Sequence, residues 1–269
     1  MHDDPMHDDP MHDAATNAQP ADGLTITTLA ERPELGVPMW TMPDTWPRFI
    51  GHDLVGAAFL RRVWQELPEY VLVAMDAEGT VVAKGFSVPF ALGAEGRGDL
   101  PDKGWDQVLQ WAFADRAAGR EPDTVSAIEI SVLPGLQGRG LSGRMLAAMR
   151  ENARSRGFRE VVAPVRPSSK HLEPHAPIAE YAFRTRESDG LPHDPWLRVH
   201  VRAGGVVTKV AIASMTVSGS LDQWRAWTGL PFDTAGPVEV PAALVPVHCA
   251  PEGGYAVYVE PNVWVRHAL

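Results

Sequence analysis

The chain has 269 residues, 45% of them hydrophobic and 22% charged, enough for one large domain or a domain with an extension. No apolar run approaches the ~20 residues that span a bilayer, no charged-then-apolar leader opens the chain, and the single cysteine, Cys249, excludes an intrachain disulfide or a cysteine-built metal cage. These features point to the cytoplasm. The net charge of −10 is unevenly spread: residues 1–23 hold six Asp and no Lys or Arg, whereas Gln137 to Lys170 carries eight basic residues against Glu151 and Glu160. Such a local excess suits a small phosphate-bearing ligand. No long basic stripe with interleaved aromatics is present, which argues against a nucleic-acid surface.

The repeat Met1-His2-Asp3-Asp4-Pro5 recurs at Met6 to Pro10 and begins again at Met11. So short a polar repeat has no core to bury, and residues 1–23 are expected to form a disordered acidic tail. Residues 24–269 are expected to fold, with a C-terminal extension from about 217 to 269. Thr25 to Leu29 reads as a short strand, Pro38 to Pro47 as a Pro- and Trp-rich connection, and Asp53 to Glu66 as a helix. Tyr70 to Met75 and Thr80 to Val88 read as a hairpin around Asp76-Ala77-Glu78-Gly79. Gly93 to Asp106 is expected to be a loop, and Gln107 to Ala118 a short helix.

The most informative stretch follows, from Val125 to Gly157. Ile128, Ile130 and Val132 alternate with Ala127, Glu129 and Ser131, as in a half-buried strand, and Pro134 ends it because it has no N–H to give a ladder. Leu141, Met145 and Met149, with Leu146 and Ala153, form one helical stripe, and Gly157 stands where a left-handed cap is needed. The amides opening that helix lack intrahelical partners, so strand, glycine-rich turn and helix together favour an anion. Beyond it, Arg159 to Val165 reads as a strand, Pro177 to Arg184 as a short helix, Glu187 to Pro195 as a turn, and Trp196 to Val201 as a strand. Ser220-Leu221-Asp222-Gln223-Trp224 reads as a capped helix start. Val238 to Val247 and Tyr255 to Val265 read as strands around Pro251-Glu252-Gly253-Gly254, extending the same sheet.

Four motifs compete for the glycines of the turn. Gly138-Arg139-Gly140-Leu141-Ser142-Gly143 matches the dinucleotide fingerprint, but Pro134 to Gln137 intervene between strand and glycine and no other βαβ signal is present. A nucleophile elbow fails because Arg144 replaces its last glycine, and a Walker A loop fails for want of Gly-Lys-Ser/Thr. Gln137-Gly138-Arg139-Gly140, after a strand ending near proline, resembles the [Q/R]-x-x-G-x-[G/A] acyl-CoA segment of the GNAT acyltransferase superfamily, with Ser142 at a position usually Gly or Ala. The plain alternative is a turn that only links strand to helix.

The resemblance implies a mixed α/β fold: a twisted, mostly antiparallel sheet splayed between two central strands, with helices on both faces. It implies acetyl-CoA or another acyl-CoA as co-substrate, with backbone groups of Ile130, Ser131 and Val132 along the pantetheine arm. Gln137, Gly138, Arg139, Gly140, Leu141, Ser142 and Gly143 would surround the pyrophosphate. The acceptor implied is an amine on a small molecule. A carrier-protein pantetheine or an aminoacyl-tRNA as donor, and a non-catalytic CoA-binding module, remain rival readings, and a homodimer is left open. Many relatives carry an Asn near Ser168-Ser169-Lys170, and this chain has none there.

Acyl transfer needs an amine freed of its proton, a polarised carbonyl and relief of charge on the departing thiolate. Glu129 on the cleft strand is the expected base, with pairing to an arginine on a neighbouring strand as its alternative. Tyr181 stands where relatives place a thiolate acid, with a core role as its alternative, and strand amides near Val132 could contact the oxyanion. Trp40, Trp46, Phe49 and Trp64 are candidate acceptor-pocket aromatics, Trp40 foremost. His171 and His175 are four apart, but Pro174 and Pro177 argue against one helical metal face. No metal is expected, and one of these histidines is expected to face the acceptor as an alternative base. His193 and His200 read as structural.

Overall fold

A computed structural model describes residues 23–43 and 46–269; the repeats at 1–22 lie outside the described residues. The chain runs β1 (Thr25–Thr28), α1 (Gly36–Trp40), α2 (Leu54–Glu66), β2 (Val71–Met75), β3 (Val81–Phe90), α3 (Gly104–Ala117), β4 (Thr124–Val132), α4 (Leu141–Ser155) and β5 (Glu160–Val165). Then come α5 (Ile178–Tyr181), α6 (Pro195–Arg202), β6 (Val206–Ser220), α7 (Leu221–Thr228), β7 (Gly236–Val238), β8 (Val247–Ala250) and β9 (Tyr255–Ala268). All nine strands form one sheet in the order β1-β2-β3-β4-β5-β9-β8-β7, with β6 on the other edge of β9. Every pairing is antiparallel except β4 with β5.

That parallel pair is the hinge of the architecture. β4 and β5 are in register only at Val125–Val161 and Ser126–Val162, although β4 continues six residues further, to Val132. The strands therefore diverge into a wedge. A bulge promotes the divergence: Phe86 of β3 faces Glu129 while Ser87 faces Ala127, so Ile128 is an extra residue, and such an insertion bends and twists its strand. The carbonyl of Ile128 is taken by the Trp105 indole Nε1–H at 3.0 Å.

Helices cover both faces. Met145, Leu146, Met149 and Ala153 form the buried stripe of α4, and an added Cβ on Gly85 would meet the Met145 and Met149 methyls at 3.3 and 3.2 Å. Gly85 is opposite Ile130, so Ile130 and Val132 share the α4 face. Lys84, Glu129 and Ser131 share the other face, where α3 supplies Trp105. α4 ends as expected, with Gly157 at φ +87°. No described helix is long and apolar enough to cross a membrane.

Three sequence readings change. Trp196 to Val201 is not a strand but the middle of α6: Asp194 caps the helix by accepting from the amides of Trp196 (2.9 Å) and Leu197 (3.1 Å), with Pro195 in its first turn. Over only six residues, the alternation of large and polar side chains did not distinguish the two periods. Val238 to Val247 is two strand ends joined by a loop, β7 stopping at Val238 and β8 starting at Val247. Finally β6, fifteen residues long and paired along nearly the whole of β9, has no counterpart in the sequence reading.

Candidate active site

The wedge opens into a cavity of about 530 Å³ whose walls come from both faces of the sheet. From the α4 side it is lined by Gln137, Gly138, Leu141 and Ser142 and by Trp196, Val199 and His200 of α6. From the α3 side come Trp46, Trp105, Glu129, Met215, Glu260 and Asn262. The opening thus passes through the sheet.

The loop at the α4 mouth is built for a ligand's approach. Gly138 and Gly140 have φ of +77° and +81°, a region that side chains with Cβ disfavour, yet an added Cβ would meet nothing within 4 Å at either position. Backbone conformation, not crowding, requires glycine here. Gly140 is the N-cap of α4 and no side chain caps it, leaving the first-turn amides available to an anion. Gln137 donates from Nε2 to the Val132 carbonyl at 3.4 Å, tying the loop to the strand. Arg139 and Gly140 are exposed; Leu141 to Arg144 are half-buried.

Along β4, Leu133 gives its N–H to Val82 of β3 at 3.0 Å. Strand alternation then turns the N–H and C=O of Ile130 and Val132 away from β3, towards the wedge. An extended arm there would find the N–H and C=O of Ile130 and the N–H of Val132, the Val132 carbonyl being taken by Gln137. Ser131 also lines the cavity, through its side-chain face.

Glu129 lines the cavity on the α3 side. Its Oε1 accepts the Ser131 hydroxyl at 2.6 Å and lies 3.6 Å from Lys84 Nζ; both charged side chains are more than nine-tenths buried. The partner is a lysine and not the expected arginine; it comes from the neighbouring strand β3, where it faces Ser131.

Deeper on this side lie groups whose arrangement the sequence did not disclose. Arg166, just past β5, gives its Nε–H to both oxygens of fully buried Glu260 (3.1 and 2.9 Å). Tyr258 donates to Glu260 Oε2 (2.9 Å) and Asn262 to Oε1 (3.2 Å). Asn262 Oδ1 accepts from Ser214 Oγ (2.5 Å), which in turn accepts the Trp105 amide (2.8 Å). Burial, and then the Glu260 charge, hold the Tyr258 phenol well above its usual range. These residues converge from positions far apart in the chain, so no local motif announced them.

Asp53 and Asp106 sit behind Trp105, each with one buried oxygen that lacks a protein partner. Burial, and then the Asp53 charge, push the Asp106 carboxyl up to about 8. Between the ordinary value of 3.8 and about 8, the folded protein holds a proton that the unfolded chain has released, so stability falls as pH rises through this window. Asp106→Asn is expected to flatten that fall, measured as the difference between urea midpoints at pH 5 and pH 8.

The remaining candidate residues divide. His171 lines the cavity. His175 does not; it is exposed and bonded to Glu239 at 2.6 Å. Trp40 is not at the cavity either: it stacks on Trp64 at 5.4 Å, and of the candidate tryptophans 40, 46 and 64 it is Trp46 that lines the site. Tyr181 is fully buried and absent from the cavity wall, its hydroxyl given to Asp194 at 3.0 Å. Burial and the Asp194 charge raise its pKa well above the usual phenol range, so the structure gives Tyr181 a structural task. Tyr181→Phe is therefore expected to retain acyl transfer while losing about 1 kcal/mol of stability, the usual net worth of one such bond, as read by parallel turnover and denaturation assays. Lys170 is likewise structural, its buried Nζ donating to the carbonyls of Glu173, Pro174 and Leu244. Among the described residues no cluster of three His, Cys, Asp or Glu side chains could hold a metal.

A splayed parallel pair, a bulged strand carrying a carboxylate, and an uncapped glycine-led helix at the wedge mouth form a site suited to an extended, phosphate-bearing ligand. No family model matches the chain. Arginine N-acetyltransferase avaD of Aspergillus versicolor is 34% identical over 281 aligned positions, covering 92% of this chain and 94% of the relative. Among solved structures, the loading GNATL domain of CurA from Lyngbya majuscula has a similar fold, with a TM-score of 0.57 at 18% identity over 91% of this chain and 97% of that one. The chain belongs to the GNAT superfamily and is an N-acyltransferase, moving an acyl group to an amine.

Proposed function

We propose that the protein transfers the acetyl group of acetyl-CoA to the α-amine of arginine or a closely similar cationic amino compound. The observation that carries the donor half is the wedge itself, with open glycines and first-turn helix amides at its mouth and wedge-facing backbone groups of Ile130 and Val132 along one wall. The CoA diphosphate would rest on the amides around Gly138 to Gly143, its charge met by Arg139, and the pantetheine arm would pair with Ile130 and Val132. The acceptor half rests on the similarity to an arginine N-acetyltransferase. Arginine's guanidinium stays protonated and is no nucleophile, so the α-amine is the group acylated.

Glu129 takes the proton that the amine loses as it attacks the thioester carbonyl. The tetrahedral intermediate then collapses, breaking the carbon–sulfur bond and releasing CoA. The lone buried Cys249 is in keeping with a reducing compartment, and we assign the protein to the cytoplasm.

Titration calorimetry with CoA, followed by a free-thiol assay with acetyl-CoA and a panel of amines, tests this reading. CoA binding at millimolar or tighter affinity and arginine-dependent thiol release are expected. Absence of both would overturn it.

A further inference from the structure

A thiolate leaves during the proposed reaction, and Tyr181, committed to Asp194, is not placed to relieve its charge. The wedge limits how deep that sulfur can reach. An arm threading between β4 and β5 can go no deeper than Ser126–Val162, where the strands rejoin. At this root two buried histidines meet. His267 of β9 lies opposite Val161, and its Nε2 is 2.9 Å from Nδ1 of His200, which lines the cavity from α6.

Burial holds both imidazoles neutral, with His200 down to about 3 and His267 to about 4, the latter also through the charge of Arg150. One ring must therefore donate to the other, and only two tautomer arrangements exist. If His200 donated from Nδ1, His267 would carry its own proton on Nδ1, a buried atom with no hydrogen-bond partner, beside a guanidinium that offers no acceptor. The opposite arrangement places a lone pair at His267 Nδ1. Arg150 sits alongside, its two terminal nitrogens on the carbonyls of Ala203 (2.7 Å) and Ala268 (3.2 Å), and its Nε–H is likewise buried without a partner. A guanidinium hydrogen and an imidazole lone pair are complementary; two N–H groups are not.

We infer that Arg150 and His267 lock His200 as the Nε2–H tautomer, so that it offers a hydrogen bond to the thioester sulfur at the root of the wedge. The role in transfer rests on the acetyl-CoA reading above; the tautomer does not. His200 donates a hydrogen bond and keeps its proton, because a neutral imidazole N–H is a far weaker acid than a thiol. As the carbon–sulfur bond breaks, the electron pair goes to sulfur, His200 stabilises it, and solvent supplies the proton of the released thiol while Glu129 returns its own to solvent. His200 is thus a catalytic residue, and Arg150 and His267 are positioning residues.

Long-range proton–nitrogen NMR of the wild-type protein should show both His200 and His267 protonated on Nε2; a His200 signal protonated on Nδ1 would overturn the inference. In turnover, His200→Phe is expected to lower kcat about 10²-fold, in the range for loss of one preorganised donor, with CoA affinity within about twofold of wild type. His200→Gln, which restores an N–H, should regain at least tenfold over the phenylalanine variant. A phenylalanine variant that binds CoA and turns over at the wild-type rate would refute the role. Failure of the wild-type protein to bind CoA would instead refute the acetyl-CoA reading, and the NMR result would still decide the tautomer.

Discussion

Glu129→Gln is expected to lower kcat about 10²-fold or more while the protein still folds and binds CoA. A positioned base contributes roughly 10²–10⁴ in rate, and the amide keeps the carboxylate's shape and can still accept the Ser131 hydroxyl, now seen at 2.6 Å. What it loses is the capacity to take a proton. The same substitution distinguishes the two sequence readings of Glu129. Were its task only to pair with Lys84, 3.6 Å away, the glutamine variant would lose stability but keep its rate per folded molecule. Single-turnover acetyl transfer, normalised to CoA-binding sites, gives the answer.

The second large effect concerns stability. Arg166→Met removes both N–H contacts to Glu260, a carboxylate with no solvent exposure, and strips the Ala242 carbonyl of a 2.6 Å partner. Tyr258 and Asn262 still donate to Glu260, but its charge is left uncompensated. Breaking one side of such a buried pair costs roughly 3–5 kcal/mol, which for a chain of this size lowers Tm by about 10 °C. The double variant Arg166→Met/Glu260→Gln should recover most of the loss, because the glutamine carries no buried charge. Thermal unfolding of the two single variants and the double variant measures the coupling. Full additivity would show that the pair does not act as a unit.

These two residues also mark where sequence reading succeeds and fails. Glu129, the glycines at 138 and 140 and the α4 stripe belong to one continuous stretch, and local rules suffice there: alternation sets the strand, Pro134 ends it, and left-handed glycines turn the chain into a helix. The bulge at Ile128 was not legible, because it depends on which β3 residues face it. Arg166 and Glu260 stand 94 positions apart in sequence, and only the sheet order brings them together. Tyr181 shows the same limit in reverse, since its task was set by Asp194, thirteen residues on, which no helical or strand period links to it.

Two elements carried signals that went unread. Asp194-Pro195 is a cap followed by a first-turn proline, the start of α6. Val206 to Ser220 holds four Val, two Thr and one Ile, yet its alternation is broken by register shifts near Val207/Lys209 and Ala211/Met215, which blur the two-residue period. The consequence reached the site, because α6 and β6 supply Val199, His200 and Met215 to the cavity wall.

The most direct measurement is a crystal structure of the full chain with bound CoA. The diphosphate is expected against the amides of residues 138–143, with the pantetheine arm beside Ile130 and Val132 and its sulfur near His200 at the wedge root. Clear density for CoA elsewhere on the protein, with the opening between β4 and β5 unfilled, would contradict the account.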